Sequence, residues 1–153
     1  MPTINGRACV VNGTPVDKVF SNGRQVYGRN LALGTAKPFT VYGNGSDSSN
    51  YMYHLSRKIA KGTTITMAFD IASTNATGRY IIQFVGGSWL GSPWYQMVSG
   101  TQHHSYNVVA DNDYSNGVQI RIVNSTGTVT ISNFIISESS TEIAWTPAPE
   151  DVM

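Results

Sequence analysis

Two tryptophans, Trp89 and Trp94, stand inside a stretch of 31 residues, 80–110, that carries no formally charged side chain. The same stretch holds Tyr80, Tyr95, His103, His104 and Tyr106. Rings without charge suit a neutral saccharide: the C–H face of a pyranose stacks on an aromatic ring, and its hydroxyls bond to amides, hydroxyls and imidazoles. Trp89 lies among the small residues Gly86-Gly87-Ser88-Trp89-Leu90-Gly91-Ser92-Pro93, a loop that would present it at its tip. A large aromatic exposed on a loop points to function. Trp94 opens a strand, where core packing is as open to it as ligand contact. Tyr51 and Tyr53 share one face of their strand and are open to either role. Gln83 falls opposite the apolar Tyr80, Ile82 and Phe84, and Gln119 and Arg121 fall opposite Val118, Ile120 and Ile122. If those strands share a sheet, these polar residues form an outward patch. His104 and Tyr106 share one strand face and His103 points the other way. The expected contact set is Trp89 and Trp94 as stacking platforms, with Gln83, His104, Tyr106, Gln119 and Arg121 as hydrogen-bonding groups.

Catalysis finds less support. Paired-carboxylate chemistry needs two acids placed together, and the candidates are Asp70, Asp111, Asp113, Glu138 and Glu142. Asp111 and Asp113 sit in an Asn/Asp/Ser/Gly turn and read as turn caps. No Gly-x-Ser-x-Gly elbow, phosphate loop or His-x-x-x-His pair occurs. Adjacent His103 and His104 cannot serve one metal from opposite strand faces. Cys9, the single cysteine, excludes an internal disulfide and a Cys-rich zinc site, and reads as a small buried hydrophobe. The expectation is a chain that is no enzyme.

The elements that must position these residues are strands. The chain has 153 residues, enough for one domain with a core of its own. Ser, Thr and Asn number 43 and Gly 15, which favours strands separated by many turns. Hydrophobic residues make up 41%, so a core can form. Charged residues are only 12% and the net charge is +1, which argues against nucleic acid and against an anionic membrane surface as partner. No apolar run approaches the roughly 18 residues of a spanning helix, and no signal-peptide pattern opens the chain.

Strands are expected at 39–42, 51–56, 63–71, 79–85, 94–98, 103–109, 117–123 and 128–137, with 43–50 a loop. In 63–71, Ile65, Met67, Phe69 and Ile71 alternate with Thr64, Thr66, Ala68 and Asp70, the period of a half-buried strand. A spacing of about ten residues with Gly and Asn punctuation is that of a β-sandwich. Ahead of it, Val11-Asn12-Gly13 and Ser21-Asn22-Gly23 are two hairpin-turn signals. They predict strands near 7–11, 16–20 and 24–27, a small β-meander. The expected division is 1–29, a β-meander or linker, and 30–153, the sandwich.

Both ends of the chain carry a resemblance. Gly6-Arg7, Val10-Val11-Asn12-Gly13-Thr14-Pro15-Val16 and Tyr27-Gly28-Arg29-Asn30-Leu31 resemble a segment of tail and baseplate proteins from phages and prophages of lactobacilli and related Gram-positive bacteria. Trp145-Thr146-Pro147-Ala148-Pro149-Glu150-Asp151 resembles the signature that ends the same class, after the last strand of a jelly-roll carbohydrate-binding module. Where that class carries a Glu-Lys-Gly-type turn before the final Trp, this chain has Ser137-Glu138-Ser139-Ser140. The resemblance implies an all-β jelly-roll sandwich and a role in host adsorption. Such modules sit on evolved distal tail, minor tail or other baseplate proteins of the virion and bind host cell-wall polysaccharide. No cofactor is implied, and a structural Ca²⁺ stays open because jelly-roll modules often hold one through backbone carbonyls. Ligand residues vary in the class, so none is carried over. Uncharged ligands would give little salt dependence, and several copies around a tail would add avidity. The alternative reading is a structural adaptor that contacts other baseplate proteins; a glycan-degrading enzyme ranks third.

Overall fold

A computed structural model of the chain describes residues 7–75 and 77–153. The first residues of the expected meander, 1–6 with Gly6, lie outside the described residues. Twelve strands follow in order: β1 (Val10–Val11), β2 (Thr14–Pro15), β3 (Lys18–Ser21), β4 (Arg24–Gly28), β5 (Phe39–Tyr42), β6 (Asp47–His54), β7 (Thr64–Ser73), β8 (Arg79–Phe84), β9 (Tyr95–Gln96), β10 (Gly100–Val109), β11 (Gly117–Val123) and β12 (Thr128–Ser137). A single 3₁₀ turn, Pro149–Asp151, follows them. No helix among the described residues is long and apolar enough to cross a membrane.

Two four-stranded antiparallel sheets, ordered β10-β7-β12-β5 and β6-β11-β8-β9, make the jelly-roll sandwich. Strict alternation sends Ile65, Met67, Phe69 and Ile71 of β7 inward to meet Tyr80, Ile82 and Phe84 of β8 and Val118, Ile120 and Ile122 of β11. Phe69 joins the layers, its ring 6.5 Å from that of Tyr80 and 6.1 Å from that of Phe134. Each such side chain, removed from water, contributes about 1.5–3 kcal/mol.

The two outer faces differ, and that difference decides where a site can be. The outer face of β10-β7-β12-β5 is covered by the C-terminal segment. Thr66 donates to the Ser139 carbonyl at 2.9 Å, and Asn107 donates to that of Ser140 at 2.7 Å. Ala68 and Ile135 form a second small core with Ile143, and Trp145 packs on it. Thr66 and Ala68, the solvated side of β7 by periodicity alone, are thereby buried. A bulge between Ser132 and Ile135 lets Phe134 and Ile136 enter the main core while Ile135 faces this outer one.

The N-terminal residues form two separate two-stranded hairpins, β1-β2 and β3-β4, rather than the three-stranded meander expected. Asn12-Gly13 and Asn22-Gly23 all have positive φ, as their tight turns require. The second hairpin docks on the sandwich. Gly28 sits so close to Ser137 that a Cβ on it would lie 2.8 Å from the Ser137 Cβ. Tyr27 is buried, with its hydroxyl accepting the Cys9 N–H at 3.1 Å. Asn30 then pins three parts of the chain. It is fully buried, and its amide donates to Thr35 Oγ1 (3.0 Å) and to the carbonyls of Phe134 and Thr146 (both 2.9 Å). Its oxygen accepts the N–H groups of Ala32 (3.0 Å) and Ile136 (3.2 Å). The closing motif is latched by Trp145 Nε1–H to Thr35 Oγ1 at 3.1 Å, by the Gly34 N–H to Asp151 at 2.7 Å, and by the Arg29–Glu150 ion pair.

His103 ties β10 to the same segment. Its Nδ1 lies 2.6 Å from Asp70 Oδ1, and its Nε2 meets Glu142. These two carboxylates, Asp70 first, hold the imidazole pKa above its ordinary 6.5. Burial alone would raise Asp70, but hydrogen bonds from Asn133 and His103 bring it below its usual range. The signs follow by linkage. His103 contributes its full stability below its unfolded pKa and loses it as pH rises through the raised folded value. Asp70 contributes above its unfolded pKa and loses it as pH falls through the lowered one. Replacing His103 by Gln is expected to flatten the alkaline-side decline in thermal midpoint as pH rises past the ordinary histidine value of 6.5, as read by calorimetry across pH.

Candidate functional site

Among the described residues no segment covers the outer face of β6-β11-β8-β9, and antiparallel register lays its side chains in rows. Tyr51, Gln119 and Gln83 form one row, Ser49, Arg121 and Ile81 the next, and Asp47, Val123, Arg79 and Gln96 the third. Paired residues across a ladder project to the same side. A bulge at Met52, where the register shifts between Val118 and Gln119, turns Tyr51 outward and Tyr53 inward. The two tyrosines therefore do not share a face, and burial raises the Tyr53 hydroxyl to about 12.

Asp47, Ser49, Gln83, Trp89, Gln119 and Arg121 line an open cleft of about 600 Å³. Its floor is an amide pair. Gln119 Nε2 donates to Gln83 Oε1 at 3.3 Å, and Gln83 Nε2 donates to the Trp89 carbonyl at 3.3 Å. Each glutamine is 9% exposed, so its remaining polar atoms reach solvent only through the cleft. One wall is an ion pair, with Arg121 forking onto Asp47 through Nε (2.9 Å) and Nη2 (2.5 Å). The guanidinium holds the Asp47 carboxyl below its usual range, and Asp47 in turn raises Arg121.

Trp89 rises over the Gln83 end and is 46% exposed. Its φ of +57° is a left-handed conformation that a bulky residue adopts only under constraint, costing roughly 1–3 kcal/mol. The constraint is visible. The Trp89 N–H donates to the Gly86 carbonyl at 2.9 Å, and Gly86 and Gly87 supply two further positive φ angles. Tyr114, stacked on Phe84 at 4.7 Å, anchors the loop from below. Its hydroxyl donates to Asp111 at 2.6 Å, meets Ser88 Oγ at 3.1 Å and accepts the Leu90 N–H at 3.3 Å. Replacing Tyr114 by Phe keeps the stack and releases the loop. The expected result is a loss of about 1–2 kcal/mol in stability, measured by urea unfolding, with weaker ligand binding by the same protein.

Trp94 lies beside this cleft, 39% exposed, with the Arg79 guanidinium 4.4 Å and that of Arg121 5.7 Å from its ring centre. It is a platform for arginine, so a sugar has at most a part of its surface. Of the seven residues expected, Gln83, Trp89, Gln119 and Arg121 come together in the cleft, with Trp94 at its side. His104 and Tyr106 do not join them. Both point inward from β10, in the opposite sheet. The His104 ring stacks on Tyr95 at 4.0 Å, and burial lowers its pKa. The Tyr106 hydroxyl meets Met67 Sδ at 3.0 Å, and burial raises its pKa. The physical reason is parity. His104, Tyr106 and Val108 form the apolar face of β10, leaving His103, Ser105 and Asn107 outward. Asp47, Ser49 and Arg79 belong to this face and were not expected there.

A second cleft of about 600 Å³ lies at Leu33, Lys37, Phe39 and Tyr53. The Tyr53 hydroxyl there is already bonded to the Lys37 carbonyl at 2.8 Å, and neither ring stands exposed. The carboxylates that could do acid–base work are occupied elsewhere. Asp70 and Glu142 hold His103, Asp111 holds Tyr114 and Ser88, Asp113 accepts the Lys61 N–H at 2.8 Å, and Glu138 pairs with Arg57 at 3.1 Å. Among the described residues, no three His, Cys, Asp or Glu side chains form a set that could hold a metal ion.

No protein-family profile matches the chain, and no curated protein matches it. Among solved structures it is similar to the tripod from the baseplate of bacteriophage Tuc2009, at 12% identity and a TM-score of 0.52, covering 82% of this chain and 60% of that one. It is also similar to the N-terminal cellulose-binding domain of Cellulomonas fimi β-1,4-glucanase C, at 13% identity and a TM-score of 0.48, covering 74% and 91%. A third similar structure, a family 16 carbohydrate-binding module, has 14% identity and a TM-score of 0.45, covering 70% and 84%. At these identities the tripod likeness is one of fold, and it shows the same β-sandwich architecture.

Proposed function

We propose that this chain is a non-catalytic module of a phage tail baseplate that binds host cell-wall polysaccharide through the Trp89 cleft and so promotes virion adsorption. The observation that carries the reading is the combination on one uncovered sheet face: an exposed tryptophan held in a strained conformation above a buried amide pair. A ring to stack on and fixed amides beneath it suit a pyranose, whose faces are apolar and whose rim is hydroxyl. The end motifs, which resemble those of tail and baseplate modules of Gram-positive hosts, support the tail context, as does the likeness to a baseplate tripod. A fluorescently tagged chain should label intact Gram-positive cells, lactobacilli foremost, and extracted wall polysaccharide should abolish the labelling. Absence of labelling on any strain, even from a multivalent array, would sink the proposal.

One observation favours the second reading, a structural adaptor among baseplate proteins. Phe20, on the docked β3-β4 hairpin, is 60% exposed. That reading predicts a stable oligomer of the isolated chain by light scattering, dispersed by Phe20→Ser, with no saccharide binding.

A further inference from the structure

The third row of the open sheet carries a group that a neutral-sugar cleft does not need. Arg79 is exposed at the start of β8, its guanidinium carbon 4.4 Å above the Trp94 ring. The two arginines near that ring differ in their partners. Arg121 is forked onto Asp47, whose carboxylate it neutralises. The Arg79 side chain makes no ion pair and no hydrogen bond among the described residues, although its charge joins that of Arg121 in lowering the Asp47 carboxyl. Stacking on an indole holds a guanidinium in one orientation and leaves its edge N–H groups pointing away from the ring. Arg79, Arg121 and Asp47 together leave one positive charge in excess at this end of the cleft, beside the charge-free stretch that supplies Trp89 and Trp94. An oriented guanidinium with an unused fork is the geometry that receives a carboxylate or phosphate through two parallel hydrogen bonds.

We propose that the Arg79–Trp94 corner is a subsite for an anionic oxygen group, a phosphoryl or carboxylate substituent carried by the saccharide that occupies the Trp89 cleft. The inference rests on the cleft being the saccharide site. It replaces the expectation of an uncharged ligand: binding should weaken with ionic strength in proportion to the one charge read by Arg79.

The test is a ¹H–¹⁵N titration of the whole chain with glucose, glucuronate and inorganic phosphate at matched ionic strength. Glucuronate, phosphate or both should shift the Arg79 Nε–H and the Trp94 indole N–H saturably. Glucose should leave these two signals in place. Which anion binds names the substituent. Arg79→Gln should weaken the anion at least fivefold. Arg79→Lys should weaken it too, because it keeps the charge and loses the fork and the stack; the unchanged remainder of each spectrum reports that the variant is folded. The proposal is overturned if the anions move exposed Arg24 as much as Arg79, or if Arg79→Lys binds like the parent. If wall saccharide fragments shift Trp89 while no anion moves Arg79, the subsite is wrong and the cleft reading stands. If no saccharide moves Trp89, both fall.

Discussion

Replacing Asn30 by Ala should cost the fold about 4 kcal/mol, because four buried backbone groups lose this partner, Thr35 Oγ1 keeping that of Trp145, and each unsatisfied one costs roughly 1–3 kcal/mol before local relaxation. The side chain bonds Thr35, the carbonyls of Phe134 and Thr146, and the N–H groups of Ala32 and Ile136, all in the interior. It joins the segment after the N-terminal hairpins to the last strand and to the closing Trp-Thr-Pro motif. A loss of that size is a large share of a typical domain's 5–15 kcal/mol. Asn30→Asp separates hydrogen bonding from volume. It keeps the shape but sets an oxygen against two carbonyl oxygens, so it should be no more stable than the Ala variant. Urea unfolding of the two proteins checks both statements. An Asp variant close to the parent would show that packing, not hydrogen bonding, is what Asn30 supplies.

The second large effect belongs to Trp89 and has two signs. Trp89→Gly should weaken binding of wall polysaccharide to the monomer by about 2 kcal/mol, roughly thirtyfold, the scale of an aromatic anchor lost from an interface. In a multivalent virion the loss multiplies across sites. The same substitution should raise the stability of the free protein by about 1 kcal/mol, since glycine adopts a φ of +57° without the penalty a side chain incurs. Stability given up at a position that binds is what a strained site is expected to show. Isothermal titration and thermal unfolding of one variant read both signs. A protein that loses stability with Trp89→Gly would place the ring among the packing residues, and one that keeps its affinity would remove it from the site.

The strands whose apolar residues alternate cleanly were legible. Phe39–Tyr42, Gly117–Val123 and Thr128–Ser137 fall where periodicity places them. The start of Asp47–His54 was hidden, because Asp-Ser-Ser-Asn is turn composition and only pairing with β11 makes it extended. Asp47 and Ser49 were lost to the site with it. Arg79 had a signal: it shares parity with Ile81 and Gln83, opposite Tyr80, Ile82 and Phe84. His104 and Tyr106 had one too, since Val108 continues their face and marks it apolar. The bulge at Met52 that separates Tyr51 from Tyr53 has no such signal, because an inserted residue is set by the partner strand. The covering of one sheet by residues 138–148 is likewise tertiary. Composition could not say which of two sheets would be left open, and that choice locates the cleft.

The claim that the Trp89 cleft is where saccharide binds is tested most directly by titrating ¹⁵N-labelled protein with purified wall-polysaccharide fragments. The account predicts that the Trp89 indole N–H and the side-chain amides of Gln83 and Gln119 shift together and saturate at one concentration. The Asn30 amide and the Trp145 indole, across the molecule, should stay in place. Shifts confined to the β3-β4 hairpin around Phe20, or none at the glutamine pair while cells are still bound, would contradict it.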